Sequence, residues 1–285
     1  MPEGDTIHKI AAALREALTG REVQRLELRG QGRVERVRGR RVEEVAALGK
    51  HLLVQLGPLE VLHVHLGLHG SWRRYREGER WGPRAQAGER WGPRAQAAVV
   101  LATEGAVDVC FRASRAELIP RSELVRHPQL SRLGPDLLGP EPDWARLLER
   151  GRAFSLAEPG RTGPSAADLL LDQRVACGIG NVYKCELLFL GGLDPRAPAS
   201  SLDEACLRRL YGEARRLLQG NLGGWPRTTV GELPPVPGPR QLPRLWVYGR
   251  AGERCLRCGS AIRVERGGEP ERPTYSCPGC QATRA

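Results

Sequence analysis

Leu171-Asp172-Gln173-Arg174-Val175-Ala176-Cys177-Gly178-Ile179-Gly180-Asn181-Val182-Tyr183-Lys184-Cys185-Glu186 reads as the end of one helix, a Gly-X-Gly turn and the start of a second helix. Glycines let backbone N–H groups approach an anion, and a helix N-terminus favours negative charge there. Asn181 stands where an N-cap is expected, and its amide adds a donor. A C-cap followed by an N-cap explains either glycine alone, but the full string is more specific. It predicts a phosphate-binding helical hairpin with Gly178, Gly180 and Asn181 as the contacts.

Helical periodicity surrounds this stretch, at 143–150, 165–173, 182–190 and 202–219. Before it, residues 127–142 are rich in Pro, Gly and Leu and read as an interdomain linker. After it, residues 220–245 suggest no regular structure. Then come Cys255-X2-Cys258 and Cys277-X2-Cys280. Four thiolates at this spacing predict one tetrahedral zinc ion, and a closed four-Cys site makes it structural. The segment between the pairs reads as a hairpin with Arg272 on its returning arm, suited to gripping a phosphate. The other four cysteines are scattered, which argues against a secreted disulfide framework and for a reducing compartment.

The first half of the chain reads differently. Ile7, Ile10, Ala11, Leu14 and Leu18 share one face of a helix, with Asp5 or Thr6 as its cap and Gly20 as its end. Strand composition follows at 23–28, 42–48, 51–56, 61–66, 71–76, 98–102 and 107–111. Lys50 precedes one of these strands, after Gly49. Only Lys9, Lys50 and Lys184 are lysines among 44 basic residues, so a lone ammonium at a strand start is a candidate phosphate contact. His63 and His65 alternate on one face; no third ligand is evident, and they read as packed or hydrogen-bonded rings. Leu68 and His69 lie in a glycine-bounded turn and can wedge into a base stack, although a plain hairpin turn is the default. Residues 78–87 and 88–97 are an exact tandem decapeptide, read as a recent duplication in an exposed, mobile and dispensable loop.

Net charge is +11 and the sequence pI about 9.8, which suggests a polyanionic partner, although Arg-rich composition accounts for part of it. No apolar run approaches a membrane span, and the N-terminus does not read as a signal peptide. The chain begins Met1-Pro2-Glu3-Gly4-Asp5. Removal of Met1 leaves Pro2 as a secondary amine, less basic than a lysine and able to attack an electrophilic sugar carbon. Its iminium keeps a positive charge and acts as an electron sink. Glu3 is at hand for acid–base work.

Together, Pro2-Glu3-Gly4, Lys50 after Gly49, Asp172-Gln173 through Gly178-Ile179-Gly180-Asn181-Val182-Tyr183 to Glu186, and the four-Cys finger resemble the formamidopyrimidine-DNA glycosylase and endonuclease VIII family, in the family's order and over essentially the whole chain. The start Met-Pro-Glu-Gly-Asp-Thr is more like the endonuclease VIII branch. The resemblance implies a multidomain α+β protein: an N-terminal β-sandwich with flanking helices (1–126), a linker (127–142), an all-α helix–two-turns–helix domain (143–235) and a zinc hairpin (236–285). It implies Pro2 as nucleophile, Glu3 as general acid, and Lys50, Asn181 and Arg272 as phosphate contacts around a flipped nucleotide. Leu68 and His69 match the loop that fills the gap in the duplex. The implied protein is a monomeric glycosylase and abasic-site lyase acting on damaged double-stranded DNA, cytoplasmic and nucleoid-associated. Oxidised pyrimidines are the expected substrates and oxidised purines the alternative; a lapsed, binding-only protein is the other reading. Three features depart from the pattern: His69 replaces a larger aromatic, Cys177 and Cys185 stand where other small or polar residues are usual, and the decapeptide is foreign.

Overall fold

The computed structural model describes residues 1–79, 96–156, 163–224, 226–231, 243–267 and 271–281. The chain forms two compact units, Met1–Arg132 and Leu133–Ala285. Most of the tandem decapeptide lies outside the described residues, and so does the expectation that it forms a mobile loop.

In the first unit, α1 (Gly4–Leu18) buries Ile7, Ala11, Leu14 and Leu18. The side chain of Arg15 ties it to the sandwich by donating from Nε to the Val45 carbonyl at 2.9 Å. Neither Asp5 nor Thr6 caps it: Glu3 occupies the N-cap in extended conformation, and no side chain caps the helix. The strands form two antiparallel sheets. One has the order β2-β1-β7-β8-β6, built from β1 (Arg25–Leu28), β2 (Gly32–Arg33), β6 (Ser71–Arg76), β7 (Ala97–Thr103) and β8 (Ala106–Phe111). The other has the order β3-β4-β5-β9, from β3 (Val42–Leu48), β4 (His51–Leu56), β5 (Glu60–His65) and β9 (Arg115–Pro120). Period-two alternation turns Leu52, Val54, Leu62 and Val64 inward, where they join Leu26, Leu28, Val99 and Leu101 of the first sheet and the apolar stripe of α1. This is the expected β-sandwich with a flanking helix. Strand β9 has no counterpart in the sequence reading.

The second unit has a helical core from α2 (Trp144–Leu156), α3 (Ala166–Leu171), α4 (Asn181–Leu190) and α5 (Glu204–Gly220). Ser165 and Asp168 form a reciprocal capping box on α3. Helix α4 is buried nearly throughout because two layers enclose it. One is the helical core. The other contains the hairpin of β10 (Arg263–Gly267) and β11 (Arg272–Ser276), where Cys185 and Phe189 of α4 meet Val247, Ile262 and Cys277. Among the described residues no helix is long and apolar enough to cross a membrane.

Candidate catalytic terminus and phosphate-binding turn

The N-terminus is held by the helix it starts. The Glu3 carbonyl accepts from the N–H groups of Thr6 and Ile7 at 2.9 and 3.1 Å, and Glu3 is fully buried. Pro2 is half-buried, and Met1 is 47% exposed. Backbone hydrogen bonds and an anchored helix therefore fix the backbone of Glu3, the residue that follows Pro2 in the chain.

Lys50 lies half-buried in the two-residue turn between β3 and β4, where Leu48 faces His51 and Gly49 takes φ +56°. Leu68 and His69 are exposed, Leu68 by 61%. Glycine makes their turn possible. A Cβ on Gly67 would meet Ser114 at 2.9 Å, and one on Gly70 would meet the Leu66 carbonyl oxygen at 2.4 Å. The backbone folds back on itself at Gly70, whose N–H donates to the Leu66 carbonyl at 3.1 Å, while Gly67 packs against the Ser114 side chain.

In the second unit the Gly-X-Gly segment is braced before α4 begins. The Gln173 amide donates to the carbonyls of Leu171 and Ile179 at 2.7 and 3.0 Å and accepts from the Gly178 N–H at 3.2 Å. Gly178 takes φ +116°, which a side chain rarely allows. Asn181 is not the N-cap: Gly180 occupies that position, and Asn181 is the first helical residue. Its amide instead donates to the Pro273 carbonyl at 2.8 Å, and its buried Oδ1 has no hydrogen-bond partner among the described residues. Lys184, one turn on, donates from Nζ to Thr274 Oγ1 at 2.7 Å, and Cys185 Sγ accepts from the Tyr275 N–H at 3.4 Å. These contacts join α4 to β11 beside Arg272, so the turn and the finger arginine come together. Burial pushes the Lys184 pKa down; the Cys185 thiol opposes this, and the Arg272 guanidinium adds to it.

One functional residue escaped the sequence reading as a separate player. Glu186, fully buried on α4, accepts from the N–H groups of Trp246, Val247 and Tyr248 at 2.7 to 2.9 Å and from the Thr229 hydroxyl. A carboxyl residue set directly before the apolar run Leu187–Leu190 of the helix was the available signal. It anchors the chain entering the finger, where Phe189 also stacks on Trp246.

The four cysteine sulfurs lie within 4.8 Å of one another, with Cys258–Cys277 at 3.3 Å and Cys255–Cys280 at 3.9 Å. Sulfurs around tetrahedral zinc stand about 3.8 Å apart, from a Zn–S bond of about 2.3 Å. The donor set fits a closed site with no open position. The histidines are hydrogen-bonded, as expected: His63 Nδ1 to Glu117 at 2.9 Å and His65 Nδ1 to the Ser114 hydroxyl at 2.9 Å. The structure also brings Glu117 and His127 to His63, a neighbourhood not evident from the sequence.

Two family models match the chain: the formamidopyrimidine-DNA glycosylase N-terminal domain over residues 1–117 and the formamidopyrimidine-DNA glycosylase H2TH domain over residues 138–226. A probable endonuclease 8 2 of Streptomyces coelicolor is 39% identical, over 99% of this chain and 94% of its own. A DNA-(apurinic or apyrimidinic site) lyase of Mycolicibacterium smegmatis is 38% identical, over 99% of each. A mutant of the Lactococcus lactis FPG protein, solved in a complex with Fapy-dG-containing DNA, superposes with a TM-score of 0.74 at 20% identity, covering 99% of this chain and 100% of that one.

Proposed function

The chain belongs to the formamidopyrimidine-DNA glycosylase and endonuclease VIII family of DNA glycosylase-lyases, and from that premise we propose that it excises oxidised pyrimidines through a Schiff base on Pro2. Once Met1 is removed, the Pro2 nitrogen attacks C1′ of the damaged nucleotide. The C1′–N glycosidic bond breaks, and Glu3 supplies the proton that assists ring opening and base loss. The resulting iminium draws electrons from C1′, which acidifies the C2′ proton. Loss of that proton expels the 3′ phosphate, and a second loss at C4′ expels the 5′ phosphate. Flipping exposes C1′, which the stack otherwise hides. Lys50, Asn181 and Arg272 grip phosphates, and Leu68 and His69 fill the vacated space. In this reading residues 1–126 carry the chemistry, 127–142 link, and 143–235 and 236–285 hold the strand. Zinc on Cys255, Cys258, Cys277 and Cys280 stiffens the hairpin bearing Arg272.

The observation that carries the proposal is the fixed terminus: Glu3 buried at the head of α1, its carbonyl held by Thr6 and Ile7, with Met1 open to removal. The 38–39% identity to relatives named endonuclease 8 2, against 31–33% to those named formamidopyrimidine-DNA glycosylase, supports pyrimidines over purines. A net charge of +11 supports a DNA partner for the monomer, with affinity that falls steeply as salt rises. The test is borohydride trapping of the Met-trimmed protein on duplexes with an abasic site, thymine glycol or 8-oxoguanine. The expected crosslink maps to Pro2, with thymine glycol trapped better than 8-oxoguanine. The reverse order assigns oxidised purines instead. No crosslink even at the abasic site leaves only a damage-binding protein.

A further inference from the structure

The outward face of the β3-β4-β5-β9 sheet carries a cluster that the proposed chemistry does not use. Strand register pairs His51 with His65, His65 with Arg115, and His63 with Glu117. Alternation puts all five on one face. His127, from the segment that follows β9, reaches the same place, its ring 5.2 Å from that of His63. Four of the chain's six histidines meet here, and His51, His63 and His127 are buried.

The hydrogen bonds have a direction, and it is set from one end. The N–H groups of Gln129 and Leu130 both point at His127 Nδ1, at 3.4 and 3.3 Å. That nitrogen is an acceptor, so the ring carries its proton on Nε2. His127 Nε2 faces Glu117 Oε1 at 3.3 Å. Burial works to raise the Glu117 pKa, but hydrogen bonds from His63 and Arg115 outweigh it and hold the carboxyl below its ordinary value. A carboxylate only accepts, so His63 Nδ1, 2.9 Å away, donates. Burial keeps His63 neutral against the pull of Glu117, which leaves its Nε2 bare. His51 Nδ1, 2.8 Å from that nitrogen, must then donate to it. His51 follows Lys50 directly and opens β4. An uncharged ring there does not cancel the lysine's charge, as a carboxylate would.

We propose that Glu117, His63 and His51 form a one-way hydrogen-bond relay, anchored by His127, that positions the Gly49–Lys50 turn for a DNA phosphate. The proposal rests on the reading of Lys50 as a phosphate contact. His63, Glu117 and His127 are also a donor set of metal-binding type. Metal on His127 Nε2 would expel the proton from that nitrogen, and the two N–H groups facing Nδ1 leave no place for it there. The relay is therefore the favoured reading.

The test uses the full-length, zinc-loaded protein with 15N-labelled histidine. Long-range 1H–15N spectra at pH 7 should show His51 and His63 as Nδ1–H and His127 as Nε2–H, unchanged by a further equivalent of Zn2+. His127 as Nδ1–H, or zinc-dependent shifts of His63 and His127, overturns the relay. Binding to a duplex with a tetrahydrofuran abasic-site analogue gives the functional arm. Lys50→Ala should weaken it about tenfold and reduce the salt slope by about one. Glu117→Leu, which removes the acceptor, should weaken it about tenfold, and the double variant no more than Lys50→Ala alone. His63→Leu should behave like Glu117→Leu, whereas His63→Gln, whose amide can donate to Glu117 and accept from His51, should restore binding; equal loss in both overturns the relay. Additive losses overturn the relay and leave the Lys50 reading standing. A Lys50→Ala protein that binds as the parent does removes the phosphate reading and the proposal with it.

Discussion

Glu3 shows how much one residue's role depends on its setting. Its type and place were readable beside Pro2, but not its burial at the N-cap of α1, with Thr6 and Ile7 holding its carbonyl. In the role of general acid proposed for it, a residue so held contributes about 10²- to 10⁴-fold. Glu3→Gln, which keeps the shape and loses the proton, should slow base release by that factor. Trapping on a preformed abasic site should fall much less, because no base remains to be expelled. Equal losses in both assays would assign Glu3 to positioning Pro2. Asn181 teaches the complementary lesson. The sequence marked it as functional, but assigned it a cap that Gly180 provides. The amide reaches across to the Pro273 carbonyl, a contact between residues 92 apart that no local pattern encodes.

Among elements, the Leu66–Gly70 turn was legible as a turn, and its geometry was not. Gly70 is required by contact with its own chain, since a Cβ would stand 2.4 Å from the Leu66 oxygen and 2.8 Å from the Leu66 Cα. Neither atom belongs to a flexible side chain. Gly70→Ala should therefore cost more than about 1 kcal/mol, against the small gain that this change gives where the backbone tolerates it. Urea unfolding measures this, and weaker binding to a lesion duplex should accompany it as Leu68 and His69 are displaced. An unchanged midpoint would mean that the turn opens without cost. Strand β9 was missed because Arg115-Ala116-Glu117-Leu118-Ile119-Pro120 is short, has a single β-branched residue in Ile119 and ends in Pro. Only its pairing with β5, from Val61–Ile119 to His65–Arg115, makes it a strand. The helices around the Gly-X-Gly turn were easier, because 3.6-residue periodicity over a turn or more is a local signal.

At the scale of the molecule, the histidine cluster links fold to pH. Burial, with neighbouring histidines and Lys50, pushes His51 down to about 3; burial, with Lys50, His63 and Arg115, pushes His65 down to about 4. Unfolded histidines take up protons near 6.5. Between that value and about 4 the unfolded chain binds more protons than the folded one, so stability falls as pH falls. The slope is about 1.4 kcal/mol per pH unit for each ring that stays neutral. Above about pH 6.5 the contribution is fully present. Asp108 acts in the opposite sense: burial raises it to about 6 against the charge of Arg74, so it returns part of the loss between about pH 4 and 6. Urea midpoints at pH 7.5, 6 and 5 should decline. A flat profile would mean that the rings take up charge inside the fold.

Sequence alone determined what short-range chemistry can specify. The amphipathic helix, the alternating strands, the Gly-X-Gly turn, the paired cysteines and the Pro2-Glu3 terminus each carry their signal within a few residues, and in combination they identified the family. Tertiary structure decided which of these meet. Helix α4 packing on β11 brought Asn181 and Lys184 to the finger that carries Arg272. Glu186 found its donors some sixty residues away. His51, His63, Glu117 and His127 became one cluster only when β9 closed the sheet and the segment after it folded back. Such contacts depend on register and packing between distant segments, and a single chain's local pattern does not encode them.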